Sequence, residues 1–329
     1  MSPLAALPPE NAAAPPHTGR RRFAVFAWIV LAYNVLVILW GTYVRAAGAG
    51  NGCGPNWPLC DGQFLPSHPK IKMLIEFAHR ASSGVDVILI VALIVGAFWL
   101  FPRRHAVRQG AIASGVFIVT EALLGAALVL FGWVGTNTSA ARVTADSLHL
   151  ANTLCLLACV AMTAAWASGL PELHWQGQRT RAKLLTGVIG VLLTAICGAM
   201  AALADTIFPS QSLAAGLHAD FSGTTALLER LRVIHPAVAV LVGLYLLWLV
   251  LDGLPRPHTA AVRRLGYGLA AAVLLQWGCG ALDILLLTPV WMQIAHLLTA
   301  DLLWLTLVLY TLAWWAKPAV AAASVSTAV

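Results

Sequence analysis

Apolar residues dominate this chain in long runs that are separated by short polar segments. Eight runs can be placed, at about residues 23–45, 72–100, 107–131, 145–168, 182–203, 230–251, 262–287 and 290–315. Each run reaches the roughly 20 residues that a helix needs to cross the hydrocarbon core of a bilayer. The pattern therefore predicts an all-α polytopic membrane protein with eight transmembrane helices.

The predicted domain organisation follows from these runs. Residues 1–22 are rich in alanine and proline, end in three arginines, and are predicted to be a disordered cytoplasmic tail. The first apolar run is longer than the roughly 7–15 residues of a signal-peptide core, which favours a retained span. Residues 23–170 and 171–316 then form two four-helix halves, and residues 317–329 form a second cytoplasmic tail.

Composition and charge support the membrane assignment. Hydrophobic residues make up 60% of the chain and charged residues 10%, whereas a soluble domain carries roughly 25% charged residues. The net charge is +7, but most lysines and arginines lie in short segments on one side of the predicted spans. This bias indicates that both termini are cytoplasmic. Because it also accounts for the positive charge, the charge does not indicate binding to nucleic acid.

The two halves resemble each other. Matched positions are separated by 147 to 157 residues. They are Gly41 with Gly198, Trp57-Pro58 with Phe208-Pro209, His79 with His235, and His149 with His296. Each half has an even number of spans, so the halves share one orientation and should be related by an axis along the membrane normal. We therefore expect two pseudo-symmetric four-helix bundles.

The four matched histidines are the main candidates for chemistry. His79, His149, His235 and His296 each lie near the outer end of an even-numbered span. Titratable groups at membrane depth are costly and usually functional, although any one of them alone could be a hydrogen-bonded core residue. Zinc normally takes three or four protein ligands, whereas haem iron needs one or two axial ligands. Two histidines in each bundle therefore favour two haem sites on the periplasmic side.

A carboxylate accompanies one of these histidines. Glu76 precedes His79 by three residues, which places both on one helix face. Arg232 occupies the equivalent position in the second half, so an acid is special to the first. Glu76 is a candidate catalytic residue, with an ion pair to Arg80 as the alternative. Arg45 and Arg80 are candidates to bind haem propionates, or to reach the lipid headgroups.

The first outer loop carries two cysteines. Cys53 and Cys60 lie among glycines and prolines on the side of the membrane where disulfides persist. A disulfide is the first interpretation, either structural or exchanging with a redox partner. The other four cysteines lie in apolar runs and are best explained as small packing residues.

Together these motifs resemble the haem A synthase family over essentially all eight spans. The residues that carry the resemblance are Gly41-x-x-Val44-Arg45, the loop Cys53 to Trp57-Pro58-x-Cys60, Glu76-x-x-His79-Arg80, Leu148-His149-Leu150, Ile234-His235 and Ala295-His296. Asn56 departs from many members, which have an acid in this loop, so any role of that acid is in doubt here.

The resemblance implies an activity and a set of ligands. The implied reaction is oxidation of a ring methyl group of haem O to a formyl group, which gives haem A for the terminal cytochrome oxidase. His79 and His149 would ligate haem O, and His235 and His296 a resident haem b. Glu76 would be the catalytic acid and Cys53–Cys60 a disulfide. A haem farnesyltransferase would supply haem O, and the location would be the bacterial inner membrane.

Three alternatives have different sequence requirements. A b-type electron-transfer protein linked to quinol would share the histidines without needing Glu76. A transporter would show paired helix breaks near the midplane, and none is evident. A haem farnesyltransferase would need aspartate-rich clusters for magnesium diphosphate, which the sequence lacks. Asp283 and Asp301 lie within spans and have no assigned role, whereas Glu121 in the third span is a candidate for a proton path or for a buried protonated acid.

Overall fold

The computed structural model describes residues 17–171, 178–253 and 259–316. Its helices are α1 His17–Ala46, α2 Ile71–Leu100, α3 Ala106–Leu130, α4 Ala140–Ala167, α5 Gln178–Ile207, α6 Leu213–Phe221, α7 Leu227–Arg230, a 3₁₀ turn Leu231–Val233, α8 Ile234–Gly253, α9 Ala260–Leu285 and α10 Val290–Trp315. Cys60 and Gln63 form an isolated antiparallel bridge, and none of the described residues lies in a β-strand. The all-α prediction is confirmed.

Within the same ranges, eight helical segments are long and apolar enough to cross a membrane, which confirms a multi-pass membrane protein. The sixth is continuous through α7, the 3₁₀ turn and α8. Helix α1 begins at His17, earlier than the apolar run, because hydropathy marks the lipid-buried part of a helix rather than its ends. The rest of the predicted N-terminal tail, residues 1–16, and the predicted C-terminal tail, residues 317–329, lie outside the described residues.

Helix contacts repeat from the first four spans to the last four. In the first half α1 contacts α2, α2 contacts α3, α3 contacts α4, and α4 returns to α1. In the second half the same ring runs through α5, α8, α9 and α10. The histidine-bearing helices are therefore diagonal to each other within each ring. This arrangement agrees with two bundles of one design.

The two halves meet along the fourth and eighth spans. Burial covers 61% of the most apolar stretch of α4 and 56% of that of α10, against 11–33% in the other six spans. The Trp304 indole on α10 donates a 2.7 Å hydrogen bond to the Leu154 carbonyl on α4. Leu157 and Leu307, on the same two helices, are both completely buried. These helices form the centre of the molecule, and the outer helices expose large apolar side chains as lipid requires.

A glycine permits the close approach of α3 and α4. A Cβ atom at Gly110 would collide with the Thr163 hydroxyl and lie 3.1 Å from the Trp166 ring. Small residues at such contacts let membrane helices approach and gain dispersion energy. The packing of α3 on α4 therefore depends on the missing side chain at residue 110.

We expect Gly110→Leu to destabilise the protein by about 1–3 kcal/mol, because overpacking forces the helices apart. Thermal unfolding in detergent should show a lower midpoint. Gly84→Leu is the matched control, since a Cβ atom at Gly84 has nothing within 4 Å. Equal midpoints for the two variants would contradict this account of the α3–α4 contact.

Candidate functional site

Each of the four candidate histidines lies against a glycine on a neighbouring helix. A Cβ atom at the glycine would come within 3.0–3.4 Å of the imidazole in every case. The pairs are His79 with Gly41 of α1, His149 with Gly125 of α3, His235 with Gly198 of α5, and His296 with Gly280 of α9. The same close contact, which requires the absence of a side chain, thus occurs at four matched positions.

In the second half the two imidazoles are neighbours and meet edge to face. The ring centroids of His235 and His296 are 6.2 Å apart, with an angle of 83° between the rings. His235 Nδ1 lies 3.2 Å from the Thr194 carbonyl oxygen, which can only accept, so Nδ1 carries the proton. Nε2 of His235 is then the nitrogen with a free lone pair. The Gln276 amide nitrogen lies 3.3 Å from both ring nitrogens of His296.

In the first half the two imidazoles have different surroundings. His149 Nδ1 lies 2.8 Å from Glu121 Oε1 on α3. Asn152 donates a 2.6 Å hydrogen bond to Glu121 Oε2, and the Thr153 hydroxyl donates to Oε1. His79 Nδ1 is buried and has no hydrogen-bond partner among the described residues. One histidine is therefore held by a carboxylate, while the other has an unpartnered nitrogen.

Glu76 is buried beside His79 and holds the outer loop. It is 3% exposed and forms a 2.6 Å ion pair with Arg80. Its second oxygen accepts a 2.8 Å hydrogen bond from the Cys53 backbone N–H. The ion pair that the sequence offered as an alternative therefore exists, and it is combined with a contact to the loop. Glu76 therefore connects the outer loop to α2 at a position one helical turn from His79.

The outer loop is closed by a disulfide between Cys53 and Cys60, as predicted. Both cysteines are almost completely buried. The Arg80 guanidinium also donates to the carbonyl oxygens of Asn56 and Leu59 inside this loop. A cross-link and two charged side chains of α2 together fix the loop over the first half.

The structure places Arg45 between the two halves. From the end of α1 its guanidinium donates to the Ala202 carbonyl and to the Thr206 hydroxyl on α5, and to the Gln293 side chain on α10. Arg45 and Arg80 thus both bind protein groups. Whether either also binds a propionate stays a prediction.

Arg232, at the position equivalent to Glu76, organises the corresponding region of the second half. It is 8% exposed and pairs with Asp205 at 3.1 Å, Asp220 at 2.9 Å and Glu229 at 3.4 Å. These partners lie on α5 and on the segment around α6 and α7. The loop of the first half is therefore held by an anion, Glu76, and that of the second half by a cation, Arg232. Only the first half has an acid three residues before its histidine.

Several site residues escaped the sequence-based prediction. The glycines at 125 and 280 and the amide of Gln276 were not singled out, and Glu121 was not linked to His149. One sequence pattern could have identified them, since each half has a polar residue followed four positions later by a glycine. These pairs are Glu121 and Gly125 on α3, and Gln276 and Gly280 on α9. Four residues is about one helical turn, so each polar residue and its glycine share a face.

Fold and site define a multi-pass helical membrane protein with a pair of histidines in each of two four-helix halves. The family model of cytochrome oxidase assembly proteins, COX15-CtaA, matches residues 24–308. The chain belongs to this family.

Similar proteins carry two different names. Proteins named protoheme IX farnesyltransferase from two strains of Thermus thermophilus are 45% identical over 291 residues, which is 87% of this chain and 47% of theirs. A protein named heme A synthase from Bacillus mycoides is 37% identical over 113 residues, covering 34% of this chain and 36% of that protein. The chain thus spans less than half of the length of these relatives.

The glycine contacts generate a paired prediction. Gly41→Ala should crowd His79 and weaken haem retention in the first half, and Gly198→Ala should do the same to His235 in the second. Overpacking costs about 1–3 kcal/mol, which is roughly a five- to hundredfold loss of affinity. Pigment content of the purified variants, measured by absorption and extraction, is the test.

Gly278→Ala on α9 is the control, because a Cβ atom there meets nothing within 4 Å. It should keep the pigment content of the unmodified protein. Full pigment content in both Gly41→Ala and Gly198→Ala would show that the space beside these imidazoles is not used for haem.

Proposed function

We propose that this protein is a haem A synthase, which oxidises a ring methyl group of haem O to a formyl group. The observation that carries the proposal is a repeat with one difference. All four histidines lie against glycines, but only in the first half do carboxylates, the buried Glu76 and the partly buried Glu121, lie beside the histidines. The helices of the two halves are arranged in the same way, but only one half has acids beside its histidines. This difference favours a reaction in the first half and a supporting role for the second.

The residues of the second half fit a haem. A metal–imidazole bond is about 2 Å long, as it is for zinc, and a ring nitrogen lies about 1 Å from its ring centroid. Two imidazoles that held the same iron would therefore have ring centroids no more than about 6 Å apart, and those of His235 and His296 are 6.2 Å apart. We propose that these two residues hold a haem b. When bound, this group would supply reversible one-electron oxidation and reduction.

The first half is the proposed site for haem O, the substrate. His79 and His149 are diagonal within their ring of helices, and each has glycine space beside it. The unpartnered Nδ1 of His79 is consistent with a residue whose polar partner is a ligand. Residues 23–170 would thus be the substrate half, and residues 171–316 the half with the resident cofactor.

The balance of the reaction sets what the protein must provide. With water as the oxygen source, a methyl group becomes a hydroxymethyl group with loss of two electrons and two protons. The hydroxymethyl group becomes a formyl group with the same losses. Proton acceptors inside the site and an external electron acceptor are therefore required.

We propose that Glu76 is the proton acceptor beside the reacting edge. It lies one helical turn before His79, and the contacts with Arg80 and the Cys53 N–H fix its position. A carboxylate that is held in this way needs little reorganisation when positive charge or a proton develops near it. The Arg80 pair and the loop thus orient the acid as well as stabilising the fold.

The farnesyltransferase name of the Thermus relatives does not determine the activity of this chain. The match covers less than half of each of those proteins. The nearest two acidic residues in this sequence, Asp220 and Glu229, are nine residues apart, so there is no cluster to hold magnesium diphosphate. Within the described ranges no group of three or more potential metal-ligating side chains is present either. Haem oxidation is the activity that these residues favour.

The proposed context is the synthesis of haem A for cytochrome oxidase in a bacterial inner membrane. A haem farnesyltransferase would supply haem O, in keeping with the names of two relatives. The disulfide supports the proposed sidedness, since it lies at the same end of the bundle as the histidines and disulfides persist on the periplasmic side. Both termini would then be cytoplasmic.

The test is to supply haem O to membranes that contain the protein and to identify the extracted pigments by mass. Glu76→Gln should still bind haem but form haem A about 10²–10⁴-fold more slowly, the usual contribution of a positioned proton acceptor. Asp61→Asn, which changes an exposed acid in the same outer loop, is the control and should form haem A normally.

Haem A formation at the normal rate in Glu76→Gln would remove Glu76 from the mechanism. If the unmodified protein binds haem O and returns it unchanged, the proposed activity is wrong and the b-type electron-transfer alternative is favoured. A colourless purified protein would contradict both haem functions.

A further inference from the structure

We infer that Glu121 is a positioning residue that makes His149 a stronger iron ligand than His296, whose equivalent partner is the neutral Gln276. The inference rests on the proposed function, because it takes the two histidines to bind haem iron. It adds a physical difference between the two sites that the shared helix framework alone would not produce.

The hydrogen bonds around Glu121 determine which nitrogen of His149 is available. Asn152 donates to Oε2 at 2.6 Å, the Thr153 hydroxyl donates to Oε1, and His149 Nδ1 lies 2.8 Å from Oε1. Asn152 is itself oriented, because its carbonyl accepts a 2.6 Å bond from Thr120. The Asn152 amide and the His149 ring thus both place nitrogen donors against Glu121, which fits an ionised carboxylate, because that group only accepts. Nδ1 of His149 therefore carries the proton, and Nε2 is free to bind iron.

Gly125 lies next to that free nitrogen. A Cβ atom at residue 125 would be 3.4 Å from His149 Nε2. Glu121 and Gly125 lie one helical turn apart on α3, so one helix provides both the partner of Nδ1 and a surface without a side chain next to Nε2. The proton-bearing nitrogen is held by protein, while the metal-binding nitrogen faces the glycine.

The second half has the same construction without the charge. Gln276 and Gly280 occupy the equivalent turn of α9, and the Gln276 amide nitrogen is 3.3 Å from both ring nitrogens of His296. The Thr299 hydroxyl donates to the Gln276 carbonyl. Whichever way the amide is turned, it brings no net charge to His296.

This comparison separates a structural role from an electronic one. A neutral amide is sufficient at residue 276 to connect α9 with the histidine of α10. A carboxylate is therefore not needed at residue 121 for this helix contact, and a charge at membrane depth is costly. The charge at Glu121 therefore needs an explanation other than helix packing. The contact of Glu121 with His149, the proposed iron ligand, provides one.

The chemical consequence is a difference in donor strength. A carboxylate that accepts the imidazole N–H raises the basicity of the histidine, and such outer partners change metal affinity by about 10–100-fold. A more basic ligand favours the more positively charged ferric iron. Hydrogen bonding to the axial ligand is one of the ways in which a protein tunes haem iron. Iron bound by His149 should thus have a lower reduction potential than it would have if the partner of His149 were a neutral side chain.

The test is an anaerobic optical redox titration of the full-length protein in detergent, reconstituted with haem O and protohaem. In Glu121→Gln, one of the two haem components should become at least tenfold easier to reduce, a rise of about 59 mV for a one-electron couple. In Gln276→Glu, the other component should shift in the opposite direction. The reciprocal variants also assign the components to the two halves.

Two further variants separate charge from structure. Glu121→Asp keeps the charge and should leave the potential between those of the unmodified protein and Glu121→Gln. Asp252→Asn removes a carboxylate that pairs with Lys183 at 2.9 Å near the end of α8 remote from His235, and should move neither component.

Unchanged potentials in Glu121→Gln and Gln276→Glu, with both haems bound, would overturn the inference and leave the proposed function standing. If Glu121→Gln does not accumulate, the Gln276→Glu titration decides: a lowered potential supports the inference, and an unchanged one refutes it. If the unmodified protein takes up no haem O, the proposed function fails, and the inference fails with it.

Discussion

The close contact between an imidazole and the bare backbone of a neighbouring helix is the feature on which this molecule depends. It occurs at Gly41, Gly125, Gly198 and Gly280, at the same end of the bundle in both halves. In a membrane, helices gain little from excluding water and associate through close packing and polar contacts. The glycines allow such packing and also keep room beside each histidine. Stability and the capacity to hold a ligand therefore arise from the same contacts.

The main outlines of the fold were predictable because they depend on hydropathy. Runs of about 20 apolar residues predicted eight spans, and the described part of the chain contains eight. Helix ends were predicted less well, since α1 and α4 begin several residues before their apolar runs. At α4 the reason is local, because the Ser139 side chain caps the helix by accepting from the Arg142 N–H. Hydropathy carries no information about such caps.

For the candidate site, sequence reasoning singled out residues that are unusual for a membrane and passed over those that are ordinary. Histidines and Glu76 stand out in apolar spans, and the structure places the four histidines as a repeated set, each against a glycine. Gly125 and Gly280 do not stand out among 27 glycines, and Gln276 is one polar residue in a long helix. Arg45 shows the other difficulty, since its partners on α5 and α10 are distant in sequence. Only the folded arrangement shows which long-range partner a side chain has.

Arg45 also has a consequence for the order in which the protein matures. Its guanidinium belongs to α1, yet Gln293, one of its acceptors, lies on α10, which is synthesised much later. Ala202 and Thr206 become available only after the fifth span has been made. During biogenesis this cation must use water or headgroups as temporary partners near the bilayer surface. Insertion of α10 is thus the event that completes the contacts of Arg45 between the halves.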